Sequence, residues 1–188
     1  MFRNTANYFK VSLWFAITFI SLNSCSEKCE DTLFEINSIG LTPRTIDLST
    51  GQDTPWSNEA ALQSTKLALR LDMPKSTLNP GSLDGNCIPK FRNKNKVKTI
   101  KMVSNQAFAF VSPGEDLLEA CVFTGDGFNF IDKPDFVKSF MNESNFPSYF
   151  ILFNFRPNVE ATHSLRLIAT FEDGTTKESD FVEVLIKP

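Results

Sequence analysis

Short segments in which apolar and polar residues alternate recur along most of this chain, and they limit its possible folds more than any other feature. In the clearest one, STKLALRLDM at 64–73, the leucines Leu67, Leu69 and Leu71 are separated by charged or small residues. Because successive side chains of a strand point to opposite faces, this spacing predicts a strand with one buried face. Further strands are predicted at 32–39, 97–104, 106–112, 117–123 and 149–155.

A turn signal near the carboxyl terminus predicts an antiparallel hairpin. Apolar residues alternate along 165–171, the pair Asp173-Gly174 follows, and a second strand-like segment occupies 181–186. An Asp-Gly pair suits the mirror-image turns that join adjacent antiparallel strands, since these turns need positive φ. The chain is therefore expected to close with two paired strands.

Two other segments depart from the strand pattern. A short helix is predicted over 133–142, with Asp132 as its amino-terminal cap and Pro134 in its first turn. The stretch 42–61 is rich in Pro, Ser, Thr and Asp and is predicted to be a long irregular connection. Seven or so short strands with one helix predict a mostly β fold, an immunoglobulin-like antiparallel β-sandwich, although the Cys…Trp…Cys framework of antibody domains is missing.

Composition agrees with a globular domain and excludes one class of partner. The 188 residues are 41% apolar and carry a net charge of −3, which gives no reason to expect binding to nucleic acid. Phe occurs 19 times, against two Trp and two Tyr. Aromatic rings at strand spacing pack well in a sandwich core, so core packing is the expected role of the Phe-rich region 128–155, and an apolar pocket is the alternative.

An apolar run near the amino terminus, VSLWFAITFISL at 11–22, follows Arg3 and Lys10, with no acidic residue before it. Twelve helical residues rise about 18 Å, whereas about 20 residues are needed to cross a bilayer core. The layout is therefore typical of a signal peptide rather than of a membrane-spanning anchor.

The end of this run, Leu22-Asn23-Ser24-Cys25, resembles a bacterial lipobox. The resemblance implies a diacylglyceryl group on the sulfur of Cys25, cleavage before this residue, and two or three acyl chains on the mature amino terminus. Two or more chains hold a protein at a membrane almost permanently, at about 0.8 kcal/mol for each buried methylene. An ordinary secretory signal, cut nearby and leaving Cys25 available for a disulfide, is the alternative.

Cleavage before Cys25 divides the chain into a lipoprotein signal peptide at 1–24, a tether at 25–31 and a β-sandwich domain at 32–188. The mature chain then has 164 residues and a net charge of −5, because two basic residues are removed. The tether contains three acidic side chains, Glu27, Glu30 and Asp31. It resembles the acidic tracts of surface-exported Bacteroidetes lipoproteins, so the expected location is the cell envelope, at the outer membrane, on its periplasmic or outer face.

Three cysteines remain if Cys25 is lipidated, which allows one disulfide and one free thiol. Cys121 lies within LLEACVF and is expected to be a buried strand residue that behaves as a small apolar side chain. A Cys29–Cys87 disulfide is favoured, and Cys87–Cys121 is its rival. Neither a CxxC motif nor a Cys/His spacing is present, so no metal and no cofactor are expected.

A broader resemblance covers most of the mature chain. The lipobox, the Cys-containing tether, the strand STKLALRL, the segment KTIKMVSNQAF and the closing FILFNFRPNVEATHSLRLIATFEDGTTKESDFVEVLI are together similar to a group of small Bacteroidetes lipoproteins. The resemblance implies an envelope location and a β-sandwich domain of unknown function. It consists of pattern and order, and it implies no catalytic residue.

Catalytic chemistry has few candidates. His163 is the only histidine, and no GxSxG context accompanies it, so a hydrogen bond to solvent or backbone is its expected role. Glycoside hydrolysis needs two carboxylates about 5–9.5 Å apart. The acids that could supply such a pair, or a calcium site, are Glu115, Asp116, Asp126, Asp132 and Asp135, and solvated loops and helix capping explain them more simply.

Two features could bind a ligand. The basic segment KFRNKNKVKTIK, with Lys90, Arg92, Lys94, Lys96, Lys98 and Lys101, could meet anionic glycans or lipid phosphates. Its alternating lysines equally fit an edge strand whose charges deter pairing with another chain. Trp56 could stack on a sugar ring if it is exposed, or cover the edge of the core.

The sequence thus predicts a cell-envelope lipoprotein held by acyl chains on Cys25, and a non-enzymatic binding or accessory module for a glycan, a protein or another envelope component. A hydrolase that uses carboxylates is the alternative function.

Overall fold

The computed structural model describes residues 30–57, 65–79 and 90–188. Within these ranges the chain is mostly β with one short helix, which confirms the predicted fold class and is consistent with a β-sandwich. The predicted signal peptide, the lipidation site Cys25 and the disulfide candidates Cys29 and Cys87 lie outside the described residues, so each stays a prediction. None of the described helices is long and apolar enough to cross a bilayer.

The strands of the described residues are, in chain order, β1 Thr32–Ile36, β2 Gly40–Asp47, β3 Asp53–Pro55, β4 Thr65–Asp72, β5 Lys75–Asn79, β6 Phe91–Asn93, β7 Val97–Ser104, β8 Cys121–Thr124, β9 Phe130–Ile131, β10 Ser148–Phe153, β11 Ala161–Phe171, β12 Thr176–Glu178 and β13 Val182–Ile186. Six of them form the largest sheet, in the order β3-β2-β4-β10-β8-β9. β11 is the centre of a second sheet, and β5-β1-β6 form a third.

One continuous core joins the two larger sheets. The leucines of β4 and Ile151 of β10 belong to the same cluster of buried side chains as Leu165 and Leu167 of β11. Phe34 and Ile36 of β1, both fully buried, add the third sheet to this core. Burying an apolar side chain of this size contributes about 1.5–3 kcal/mol, so the alternation read from the sequence is what holds the layers together.

The predicted closing hairpin is present, with one irregularity. β11 pairs with β7 along one edge and with β12 and β13 along the other. Between β12 and β13 the pairing is interrupted, and Ser179 fills the gap: its backbone N–H donates to the carbonyl of Leu167, and its Oγ accepts from the N–H of Leu167 at 3.0 Å. A hydroxyl oxygen thus replaces the missing backbone acceptor of the ladder.

Three segments differ from the predictions. The segment 106–112 is a turn rather than a strand, with one bridge between Phe108 and Val111. Leu117–Ala120 forms a 3₁₀ turn, because the carboxylate of Asp116 accepts from the N–H of Leu118 and caps it. The stretch 42–61, predicted to be an irregular connection, includes most of β2 and all of β3. Their polar residues and Pro43 interrupt the alternation of apolar and polar residues from which strands were predicted.

The predicted helix, α1, consists of an α-helical turn at Lys133–Asp135 followed by π-helical winding at Phe136–Met141. Asp132 caps it as predicted, since its Oδ1 accepts from the N–H of Asp135 at 2.9 Å. Lys75 of β5 donates from Nζ to the carbonyl of Phe140 at 3.1 Å, and so ties the last turn of the helix to the third sheet.

Two glycine turns meet over the outer face of the six-stranded sheet. There Ile46, Ala68 and Leu152 form a second, smaller buried cluster. Gly51 and Gly127 both have positive φ, and a Cβ added to Gly127 would lie 3.1 Å from the Cα of Gly51. Because right-handed twist brings diagonal corners of a sheet towards one face, the two turns can touch although they belong to strands that are not neighbours.

The close approach of these turns predicts an unusually costly glycine substitution. A Cβ at Gly51 would lie 2.6 Å from the carbonyl oxygen of Asp126, whereas Gly114 has a similar φ of +79° with nothing within 4 Å of its Cβ position. Gly114→Ala should therefore cost about 1 kcal/mol of unfolding free energy, from backbone conformation alone. Gly51→Ala should cost about 3 kcal/mol, because overpacking adds to the same strain. Urea unfolding of both variants measures the difference, and equal losses would contradict the contact between the turns.

Candidate functional site

The sandwich has two distinct ends, which are named here for the segments they carry. The tether end carries the described start of the chain, where Asp31 forms an ion pair with Arg92, and the helix, where Asn142 bonds Val97. The tip, at the opposite end, is made of the turn 105–111 and the loop 154–160. β11 connects the two ends, and its 11 residues span about 35 Å.

The turn of the tip is tightly built. Phe108 and Val111 exchange two backbone hydrogen bonds, of 3.0 and 2.8 Å, around Ala109 and Phe110. Ala109 has a φ of +53° and is the one non-glycine residue of the described chain with positive φ. Such a conformation costs an alanine about 1–2 kcal/mol, and strained backbone of this kind is concentrated at functional sites. The turn buries Phe108 and leaves Phe110 63% exposed.

A second exposed ring stands against Phe110. Phe155 is 49% exposed, and the two rings meet edge to face with their centroids 5.2 Å apart. Asn158 fixes the two segments to each other by donating from Nδ2 to the carbonyl of Ala109 at 3.1 Å. Val159, 64% exposed, extends the apolar surface. Large apolar side chains grouped in this way on a surface are typical of interaction sites.

A cleft of about 230 Å³ lies beside the aromatic pair. Its apolar wall includes Phe108, Phe153 and Phe155. Three cationic side chains also line it: Lys66, Arg156 and Lys187. Lys187 has only a loose ion pair, 3.9 Å from Glu160. The tip therefore combines exposed aromatic faces with positive charge, and it suits a ligand that carries both rings and anionic groups.

Sequence reasoning missed this surface. The alternation in 106–112 predicts Phe108 and Phe110 on one side of a strand, whereas the turn sends one ring inwards and the other outwards. Trp56, a candidate for stacking on a ligand or for covering the core edge, is half-buried and packs against the core, which fits the second role. The sequence did contain one signal for the tip: two large apolar residues, Phe155 and Val159, occur within the turn-rich stretch FRPNVE, where a loop would expose them.

The candidate acids are occupied in tying loops together. Asp116 accepts from the backbone N–H groups of Met102 and Leu118, both at 3.1 Å, and from Lys133 at 2.8 Å. Asp126 accepts from the N–H groups of Phe128 and Asn129, and these hydrogen bonds hold the pKa of its carboxyl far below the ordinary range. Within the described ranges, no three His, Cys, Asp or Glu side chains converge as a metal site.

His163 lies inside the core and not at the surface position predicted for it. Its ring is fully buried, its Nδ1 lies 2.9 Å from the Oγ of Ser104, and Phe108 packs edge-on against it. Its Nε2 has no hydrogen-bond partner among the residues that the structure describes. Ser104 is buried as well, so the residues that the structure describes shield both side chains of this pair from solvent.

Cys121 is a buried free thiol, as predicted. Its Sγ donates to the carbonyl of Leu117 at 3.3 Å, and burial raises the pKa of the thiol far above its usual value. The group therefore stays protonated and unreactive in the folded protein.

The predicted basic cluster borders a groove of about 610 Å³ at the tether end. Arg92, Lys96 and Lys98 line it, and the helix adds Lys133 and Lys138, which lie far from the cluster in the sequence. Two acids, Glu143 and Glu172, also line this groove.

β7 pairs with β11 alone among the described strands, so it is the edge strand that the alternating lysines indicated. Its outer edge is closed at one point by Asn142, whose side chain bonds both the N–H and the carbonyl of Val97. At Met102 the carboxylate of Asp116 serves the same purpose by accepting from the backbone N–H.

Comparison with protein-family models, with curated proteins and with solved structures found no match for this chain.

The buried histidine predicts a pH dependence of stability. Burial lowers the pKa of His163, so the folded ring stays neutral where the unfolded chain, with a pKa of about 6.5, already takes up a proton. His163 should therefore leave the unfolding free energy unchanged between pH 8 and 7, and its contribution should fall as the pH drops below about 6.5 towards the lowered pKa. His163→Gln should remove this fall, and urea unfolding at pH 8, 7, 6 and 5 measures it. A variant that keeps the same fall between pH 7 and 5 would show that other groups cause it.

Proposed function

We propose that this chain is a lipid-anchored cell-envelope protein of the Bacteroidetes type, and that its tip binds an acidic glycan of the envelope without catalysing a reaction. The observation that carries the binding proposal is the exposed edge-to-face pair Phe110 and Phe155 beside a cleft with three cationic side chains. The lipid anchor is supported by the resemblance of Leu22–Cys25 to a lipobox and by the short apolar run before it.

Each part of the tip suits one part of such a ligand. Exposed aromatic rings pack against the apolar faces of sugar rings, and the apolar area that such a contact removes from water contributes about 25 cal/mol per Å². Lys66, Arg156 and Lys187 can pair with carboxylate or phosphate groups of the glycan. The fixed geometry of the turn supports binding, since the rings are already held in place by Ala109 and Asn158.

The alternative of a carboxylate hydrolase receives less support from the described residues. Asp116, Asp126 and Asp132 accept hydrogen bonds from backbone N–H groups, which is the role of loop ties and a helix cap. The three cationic side chains of the cleft, Lys66, Arg156 and Lys187, favour holding an anion over delivering a proton to a leaving group.

Calorimetric titration with an acidic oligosaccharide tests the proposal. An oligogalacturonate should bind, and its methyl-esterified neutral form should bind at least tenfold more weakly. Phe110→Ala and Phe155→Ala should each weaken binding by about tenfold through the loss of ring contact. The triple substitution Lys66→Gln, Arg156→Gln, Lys187→Gln should abolish the preference for the acidic form.

A matched control lies elsewhere on the surface. Phe181 is 55% exposed, stacks on Arg166 and does not line the cleft, so Phe181→Ala removes a similarly exposed ring and should leave the affinity unchanged. Equal affinity for the acidic and neutral forms, or equal effects of Phe110→Ala and Phe181→Ala, would contradict the proposal.

A further inference from the structure

The tether end, opposite the tip, also carries a basic groove and an exposed ring. We propose that this end rests on an anionic phospholipid surface, with the groove lysines over lipid phosphates and Phe146 at the level of the headgroups. The inference rests on the proposed lipid anchor, since it concerns how the anchored domain is oriented.

The position of the tether brings this end close to the bilayer. The tether at 25–31 has seven residues and reaches at most about 25 Å when fully extended. Its last residue, Asp31, forms an ion pair with Arg92, which lines the groove. Acyl chains on Cys25 would therefore hold Arg92, at the edge of the groove, within about 25 Å of the membrane surface.

The charge of the groove suits lipid phosphates. Of its five cations, Arg92 and Lys133 are already paired with Asp31 and with Asp116 and Glu119. Lys96, Lys98 and Lys138 form no ion pair within the described part of the chain. A lysine near an anionic leaflet strengthens attachment by about fivefold, so three of them outweigh the opposing effect of Glu143 and Glu172.

Phe146 supplies the apolar part of the contact. It is 69% exposed, the most exposed of the large apolar side chains described, and it precedes β10 at the same end of the sandwich as the helix. It lines a cleft of about 350 Å³ together with Phe140 and Tyr149. Phe, like Trp and Leu, is typical of the apolar side of protein segments that lie in the interface between water and lipid. Asp126 lines the same cleft and stays charged, so Phe146, and not the whole cleft, enters the interface.

Spin-label accessibility of the purified lipidated protein tests this orientation. A nitroxide at Asn145→Cys, beside Phe146, reports the tether end, and one at Val159→Cys reports the tip; both positions are exposed. The protein is reconstituted in vesicles of phosphatidylcholine alone or with phosphatidylglycerol added as the anionic lipid. Only in the anionic vesicles should the label at 145 be shielded from a water-soluble nickel relaxant, by about fivefold or more, while the label at 159 stays accessible in both.

Two matched sets of substitutions show whether the shielding depends on positive charge at the tether end or on the total charge of the protein. Lys96→Gln, Lys98→Gln, Lys138→Gln should abolish the shielding at 145, and Phe146→Ala should reduce it at least twofold. Lys66→Gln, Arg156→Gln, Lys187→Gln removes the same number of charges at the tip and should leave the shielding at 145 unchanged. Labelling of native cysteines is checked with the parent protein, in which Cys121 is buried.

The outcomes distinguish this inference from the anchor itself. A label at 145 that stays fully accessible in anionic vesicles, or labels at 145 and 159 that are shielded alike, would overturn the proposed orientation. Flotation with phosphatidylcholine vesicles reports the acyl anchor alone, because that surface has no net charge. Loss of flotation there would contradict the proposed anchor, while shielding at 145 in anionic vesicles would still support the surface contact.

Discussion

Burial of every second side chain of β11 is the constraint on which the rest of the structure depends. His163, Leu165, Leu167, Ala169 and Phe171 all point into the core, and the strand is paired along both edges. A one-residue slip would turn this whole set outwards, so the register of the second sheet is fixed by apolar burial rather than by its turns. Ser179, between β12 and β13, continues the ladder by supplying a side-chain acceptor where a backbone acceptor is missing.

The same strand fixes the distance between two differently built ends. At the tip, a strained turn at Ala109 presents Phe110 against Phe155 beside cationic side chains. At the tether end, the helix packs beside β7 and completes a basic groove. Since a close-packed sandwich resists bending, a lipid attached to Cys25, the first residue of the tether, would hold one end at the membrane and present the other away from it. Our proposals for binding and for orientation both use this separation.

The sequence predicted those parts of the structure that depend on neighbouring residues better than those that depend on residues far apart in the chain. Alternating leucines such as those of β4 revealed strands, because burial on one face repeats every two residues. The same pattern wrongly predicted a strand at Leu117–Ala120, because a local hydrogen bond to Asp116 caps a 3₁₀ turn there. It also wrongly predicted a strand at 106–112, where the positive φ of Ala109 forms the turn of the tip. The groove needed a contact across 45 residues, between Val97 and Asn142, which no local pattern encodes.

The height of the tip above the bilayer distinguishes a domain that stands on its tether end from one that lies on its side. Energy transfer from a fluorophore at Val159 of the lipidated protein to acceptors in the headgroup plane of anionic vesicles measures this height. We expect a height of about 30 Å or more, because the length of β11 separates the tip from the tether end. A height below about 10 Å, roughly the spacing of two packed sheets, would mean that the domain lies on its side. That result would contradict the proposal that one end contacts the membrane while the other binds a ligand.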